Sequence, residues 1–156
     1  MTALALVPNH DSISGHLAFA EYTERAHPFV FGTFAASLRD TPSVTAENRR
    51  LYEHALKRLL REPGTKTAMV TPAGESDELM GWAVASETAL VYVYVRFAYR
   101  RGKLGAHLGT ALLELVTGNR STPAAIWTMD ASRMAAAGFP LRYDLDENER
   151  FRQLAR

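Results

Sequence analysis

Between Ala89 and Val116 the spacing of apolar residues changes across one short turn, and this change restricts the fold more than any other part of the chain. From Ala89 to Phe97 the residues alternate, with Val91, Val93 and Val95 on one side and Tyr92, Tyr94 and Arg96 on the other, which is the period of a strand. Both sides are apolar or aromatic enough to be covered, so this strand belongs inside a sheet with a layer on each face. From Leu104 to Val116, Leu104, Leu108, Ala111, Leu112 and Leu115 recur at the spacing of one helix face, and Gly118 stands where helices often end in a left-handed residue. Only a tight basic turn with Gly102 and Gly105 separates the two patterns. A strand that feeds a helix this directly implies sheet and helix layers packed together, an α/β or α+β architecture.

The flanking segments extend the pattern. Residues 1–15 are rich in turn formers (Pro8, Asn9, Asp11, Ser12, Ser14, Gly15) and read as a loosely ordered N-terminal extension before a strand over His16 to Thr23. Pro28 suits the first turn of a helix in which Phe31, Phe34, Ala35 and Leu38 share a face, ending near Asp40. A second helix sets Tyr52, Leu56, Leu59 and Leu60 against Arg49, Arg50, Glu53, Lys57 and Arg61, and Pro63-Gly64 stops it. Lys66 to Val70 and Leu79 to Ser86, around Pro72, Ala73 and Gly74, predict an antiparallel hairpin. After the motif helix come a short strand over Ala124 to Met129, a brief helix capped by Asp130 and ended by Gly138, a strand over Leu141 to Leu145, and a polar C-terminal tail over residues 147–156. The expected order is β-α-α-β-β-β-α-β-α-β in one domain over residues 1–156.

Composition removes several classes of function. Of 156 residues, 47% are apolar, enough for one core, and 18 Lys plus Arg against 17 Asp plus Glu leave no basic footprint for nucleic acid or a membrane surface. The absence of cysteine excludes disulfides, thiolate metal sites and a Cys nucleophile, in keeping with a cytoplasmic chain. No apolar stretch reaches the 18 or so residues of a membrane span, and the N-terminus lacks the basic region of a signal peptide, so the chain reads as soluble and unprocessed. His10, His16, His27, His54 and His107 show no metal-ligand spacing, and no metal is expected.

The turn is where chemistry is expected. At a glycine-containing strand-to-helix turn, several backbone N–H groups of the first helical turn lack partners and point into one concavity at the positive end of the helix dipole. That arrangement binds anions, and Arg100, Arg101 and Lys103 add positive charge at its rim. Arg100-Arg101-Gly102-Lys103-Leu104-Gly105, after Val93-Tyr94-Val95, resembles the Gln/Arg-x-x-Gly-x-Gly/Ala motif of the GNAT acyltransferases, except that Lys103 stands where that family has its first glycine. The element order and the Ala137-Gly138-Phe139 segment extend the likeness to most of the chain.

This resemblance implies a GNAT fold: a central mixed, mostly antiparallel sheet with splayed fourth and fifth strands and helices on both faces. It implies acetyl-CoA as co-substrate, without metal, with the backbone from Val93 to Arg96, chiefly Val93 and Val95, as a rail for the pantetheine arm. Arg100, Arg101, Gly102, Lys103, Leu104, Gly105 and Ala106 would then cradle the pyrophosphate. The acceptor would be a small amine or peptide, and a homodimer is one assembly left open. Glu87, just before the motif strand, is placed to act as a base through water, although a lone Glu in a hairpin turn more often faces solvent. Where many GNAT enzymes have a tyrosine acid this chain has Met134, leaving Ser132 and Tyr143 as substitutes. Tyr92 and Tyr94 suit an acceptor pocket, or more simply core packing. The chain also resembles short GNAT-like proteins of tailed phages, some without known activity. A non-catalytic binding or structural role is therefore the alternative, and either role would place it in the cytoplasm of a bacterium or of a phage-infected cell.

Overall fold

A computed structural model of the chain describes residues 17–42, 44–72, 78–100, 102–118, 124–126 and 141–156. The N-terminal extension and the helix expected from Asp130 to Ala137, with Ser132, Met134, Gly138 and Phe139, lie outside the described residues, as does Arg101.

The elements are β1 (Leu17–Ala20), α1 (His27–Arg39), α2 (Ala46–Leu59), β2 (Lys66–Pro72), β3 (Gly81–Ala85), β4 (Ala89–Val95), α3 (Gly102–Thr117), β5 (Ala124–Ala125), β6 (Arg142–Tyr143) and α4 (Leu145–Gln153). They form an α+β fold around one mixed sheet in the order β1-β2-β3-β4-β5-β6. Pairing is antiparallel from β1 to β4, β2 and β3 being the pair that the hairpin pattern predicts, and parallel from β4 to β5 and β5 to β6. No described helix is long and apolar enough to cross a membrane.

Local chemistry sets the helix limits. Pro28 occupies the first turn of α1, and the Thr45 hydroxyl caps α2 by accepting from the Asn48 amide at 3.2 Å. Gly64 follows α2 at φ +85°, and Gly118 follows α3 at φ +64°, the left-handed conformation that glycine adopts without a Cβ clash. α1 buries Val30, Phe34 and Leu38, a stripe rotated slightly from the expected one. Phe31 is only half-buried and stacks on His27 at 4.3 Å.

The sheet has a core on each face. On one, Leu108, Leu112, Leu113 and Val116 of α3 pack on Phe19, Ala68, Val70, Ala83 and Leu90. On the other, α1, α2 and α4 bring Phe34, Leu56 and Phe151 against Trp82, Val84, Val91 and Tyr92. Val91 corrects the alternation read from sequence. The register passes from Val84↔Tyr92 to Ala85↔Leu90, so Val91 is the extra residue of a bulge and shares the α1/α2 side with Tyr92. Val93 and Val95, beyond the bulge, pack on the α3 side.

A second correction concerns residues 147–156. They are not a polar tail, since most of them continue α4, which the Asp144 carboxylate caps through the amides of Asp146 (3.0 Å) and Glu147 (3.3 Å). Phe151 is 4% exposed and stacks on Tyr52 at 6.1 Å. Buried Asn148 donates to the Ile126 carbonyl at 2.9 Å and accepts from the Tyr52 hydroxyl at 3.3 Å, tying α4 to β5 and α2. Phe151→Ala is expected to cost about 3–5 kcal/mol. Asn148→Ala, which strands two buried partners, is expected to cost about 1–3 kcal/mol. Both would lower the urea midpoint, whereas a detached tail would leave it unmoved.

Candidate functional site at the exit of β4

The register of β3 and β4 fixes which main-chain groups of β4 are in use. The Arg96 amide donates to the Met80 carbonyl at 2.7 Å, and Tyr94 and Tyr92 lie opposite Trp82 and Val84. In an antiparallel ladder the hydrogen-bonded positions alternate, so Tyr92, Tyr94 and Arg96 turn their main chain to β3, while Val93 and Val95 turn theirs away, toward β5. The described residues of β5 meet the first two residues of β4, through Ala89↔Ala124 and Leu90↔Ala125, followed by the Ile126 amide on the Leu90 carbonyl at 3.2 Å. Among the described residues, the amide and carbonyl of Val93 and the amide of Val95 have no hydrogen-bond partner. The Val95 carbonyl accepts from Arg100 Nε at 2.5 Å.

The chain leaves this edge through a 3₁₀ turn, Phe97–Tyr99, and enters α3 at Gly102, two residues before the start expected at Leu104. The Tyr99 hydroxyl donates to the Glu78 carboxylate, which ties the turn to the entry of β3. Gly102, Lys103, Leu104, Gly105 and Ala106 open α3, and the amides of its first four residues lack intrahelical acceptors. Arg100 is not aimed along that helix. Its guanidinium lies 5.1 Å from the Tyr94 ring and 5.9 Å from the Phe97 ring.

On the α1 side, Phe29 meets Tyr94 edge-on at 5.9 Å, and the Arg96 guanidinium lies 5.1 Å over Phe29. The alternation of Tyr92, Tyr94 and Arg96 signals this side of the strand; nothing in the local pattern signals Phe29 as their partner. Nearby, Tyr22 lies 3.5 Å from His27 Nδ1, and burial, then the Glu24 carboxylate, push its hydroxyl above the ordinary tyrosine range. Tyr92 is a core residue: it is bonded to the Ser37 hydroxyl and packs at 5.2 Å on Phe34, while the Trp82 indole donates to Thr33 at 2.8 Å.

The two residues considered for acid and base work lie elsewhere. Glu87 is exposed in the turn before β4, and a Cβ on Gly64 would run into its side chain. The length of β4 separates it from Val95, about 20 Å at the rise of a strand. It borders a cavity of about 180 Å³ floored by Leu59, Val91 and Phe151 and edged by Glu147 and Arg150. Tyr143, 39% exposed, lies on β6 opposite Ala125, which itself lies opposite Leu90. It is therefore level with the start of β4, two strands away. The structure does not bring Glu87 or Tyr143 to the open edge at Val93 and Val95. Among the described residues no group of three His, Asp or Glu side chains could hold a metal ion.

No family model matches the sequence, and no curated protein or solved structure matches it.

Gly81 sets how closely the layers meet at this edge. It lies opposite Val95, and an added Cβ would stand 2.5 Å from the Tyr94 carbonyl oxygen and 3.2 Å from Leu112 Cδ1. Gly81→Ala is expected to cost about 1–3 kcal/mol through overpacking against backbone, with amide shifts at Tyr94 and Val95. Gly32→Ala, in α1 with open space around it, should instead stabilise by about 0.5–1 kcal/mol. Thermal melts and amide spectra of the two variants check the contrast.

Proposed function

We propose that the chain is an acetyl-CoA-dependent N-acyltransferase of the GNAT type. The observation that carries this reading is the pair of residues Val93 and Val95, whose main chain turns away from β3 beyond the last described pairing of β4 with β5, directly upstream of a basic turn and the start of α3. The main-chain groups of these residues suit the amides of a pantetheine arm, and the first-turn amides of α3 suit a pyrophosphate. Splaying of β4 from β5 belongs to this proposal. The order of elements from β1 to β5 matches that expected of the family.

The reaction joins an amine nitrogen to the thioester carbonyl carbon, breaks the carbon–sulphur bond and passes a proton from nitrogen to the departing sulphur or to solvent. Holding both reactants at one edge turns a bimolecular encounter into a local one, and in this reading that proximity supplies most of the acceleration. Met134 supplies no transferable proton. Glu87 and Tyr143 are too far along the sheet to be given roles. Without a positioned acid, which typically contributes 10² to 10⁴-fold, turnover is expected to be slow. Two features favour a second reading, a GNAT-like domain that does not catalyse: Met134, and the Arg100 side chain on the Val95 carbonyl.

Titration calorimetry and thermal melts with acetyl-CoA test the proposal. Binding to the native state should raise stability by about 2.7 kcal/mol at a hundredfold excess over Kd. Gly105→Val should abolish the binding, because its branched side chain would enter the cradle. Acetyl transfer to a panel of amino acids, peptides, polyamines and aminoglycosides should be slow in the wild type and faster in Met134→Tyr. Absence of both heat and a melt shift would overturn the reading, while tight binding without turnover would support the non-catalytic one.

A further inference from the structure

The exit of β4 holds two arginines by aromatic rings rather than by carboxylates. Arg96 lies over Phe29, Arg100 lies over Tyr94 and Phe97, and Phe29 and Tyr94 meet edge-on, so the rings and guanidiniums form one continuous platform. Among the described residues neither guanidinium has a carboxylate within ion-pair distance. Of the acidic groups near this end, Glu78 accepts from Tyr99 and Glu24 acts on Tyr22. Phe97, at 67% exposed, is the most open large apolar side chain among the described residues, and it stands beside Arg100.

A guanidinium stacked on a ring has one face covered while its N–H groups stay free at the rim, where they meet a planar anion edge-on with two parallel hydrogen bonds. Arg100 gives its Nε–H to the Val95 carbonyl, and among the described residues neither its terminal nitrogens nor the Arg96 guanidinium has a further hydrogen-bond acceptor. The exposed Phe97 ring and the half-buried Tyr94 ring beside them suit a flat apolar group.

We infer that this platform binds the carboxylate of a small molecule bearing an aromatic or apolar group. Resting on the acyltransferase reading, the acceptor is then of the amino-acid class, an amine that carries its own carboxylate. Two guanidiniums without a carboxylate partner among the described residues repel polyamines and aminoglycosides, which are polycations. Nothing in the anion-binding step itself needs acetyl-CoA, so the platform and the transferase are separable.

The test uses the full chain and four probes without acetyl-CoA: phenylalanine, N-acetylphenylalanine, phenethylamine and spermidine, followed by calorimetry and by shifts of the Phe29, Tyr94 and Phe97 signals. The two carboxylates should bind and shift those rings, with phenethylamine and spermidine weaker by about tenfold or more. Arg96→Gln should lose about tenfold in carboxylate affinity, and Arg96→Lys, which keeps the charge but not the flat fork, should recover only part of it. Phe97→Ala, which removes an exposed ring and should leave the melt unchanged, should also weaken binding. Equal or tighter binding of phenethylamine or spermidine overturns the inference, as does carboxylate binding indifferent to Arg96 and Phe97, or none at all. Acetyl transfer to spermidine as readily as to phenylalanine overturns it while keeping the transferase. Arg96-dependent carboxylate binding in a protein that ignores acetyl-CoA supports the platform and overturns the transferase.

Discussion

The arrangement at the exit of β4 depends on a single extra residue in its ladder with β3. Because Val91 is the extra residue of a bulge in that ladder, β4 changes phase between Leu90 and Tyr92, and Val91 and Tyr92 face the same layer. Everything downstream inherits the new phase: Val93 and Val95 pack toward α3, and Tyr94 toward Phe29. Without the bulge, Tyr94 would turn into a core filled by Leu108, Leu112 and Leu113, which has no room for a phenol. A bulge also sharpens local twist, and β4 loses its described pairing with β5 at the next residues.

The two faces of the sheet are stabilised differently, and the difference bears on what each can do. The α3 face is almost wholly aliphatic, so its cohesion is non-directional. The opposite face is aromatic and carries polar contacts, part-buried from Trp82 to Thr33 and Tyr92 to Ser37, and buried from Tyr52 to Asn148 to the Ile126 carbonyl. Each of these costs little while satisfied and much when one partner is lost. These contacts are directional, and Tyr94 and Phe29 pack against the same cluster beside Arg96 and Arg100. A ligand platform made of rings needs that directionality more than it needs cohesion.

How far the sequence reveals this molecule depends on whether a feature is local. α1, α2, the β2–β3 hairpin, β4 and α3 are legible because each carries its own apolar period, and Gly118 ends α3 as its position suggests. The phase of Val91 is not legible, since a bulge belongs to a pair of strands and the alternation around it looks regular. α4 escapes because Leu145–Gln153 is mostly charged and commits a single aromatic residue, Phe151, to the core; the sequence clue is Asp144 followed by Asp146 and Glu147, an acidic helix start. Glu87 stands two residues before β4 in the sequence yet lies a strand's length from Val95, and Tyr143 is level with Leu90. The first follows from the length of β4 alone; the second follows from register across two strand pairs, which no local window contains.

The division of labour among the basic residues also has a physical reason. Arg100 reads as one of three cations around a helix start, but its side chain turns back to the edge of β4 and hydrogen-bonds the Val95 carbonyl. An unpaired stretch of strand invites pairing with another chain, and proteins commonly blunt such edges with charge. The stretch of β4 without a partner among the described residues is short, and cations border it: Arg100 on the Val95 carbonyl and Arg96 beside it. Because Arg100 is exposed, its bond to Val95 is weak enough for solvent or a ligand to replace. The same charge that keeps a second strand away therefore leaves the edge accessible to a small anionic molecule, which needs no ladder to bind.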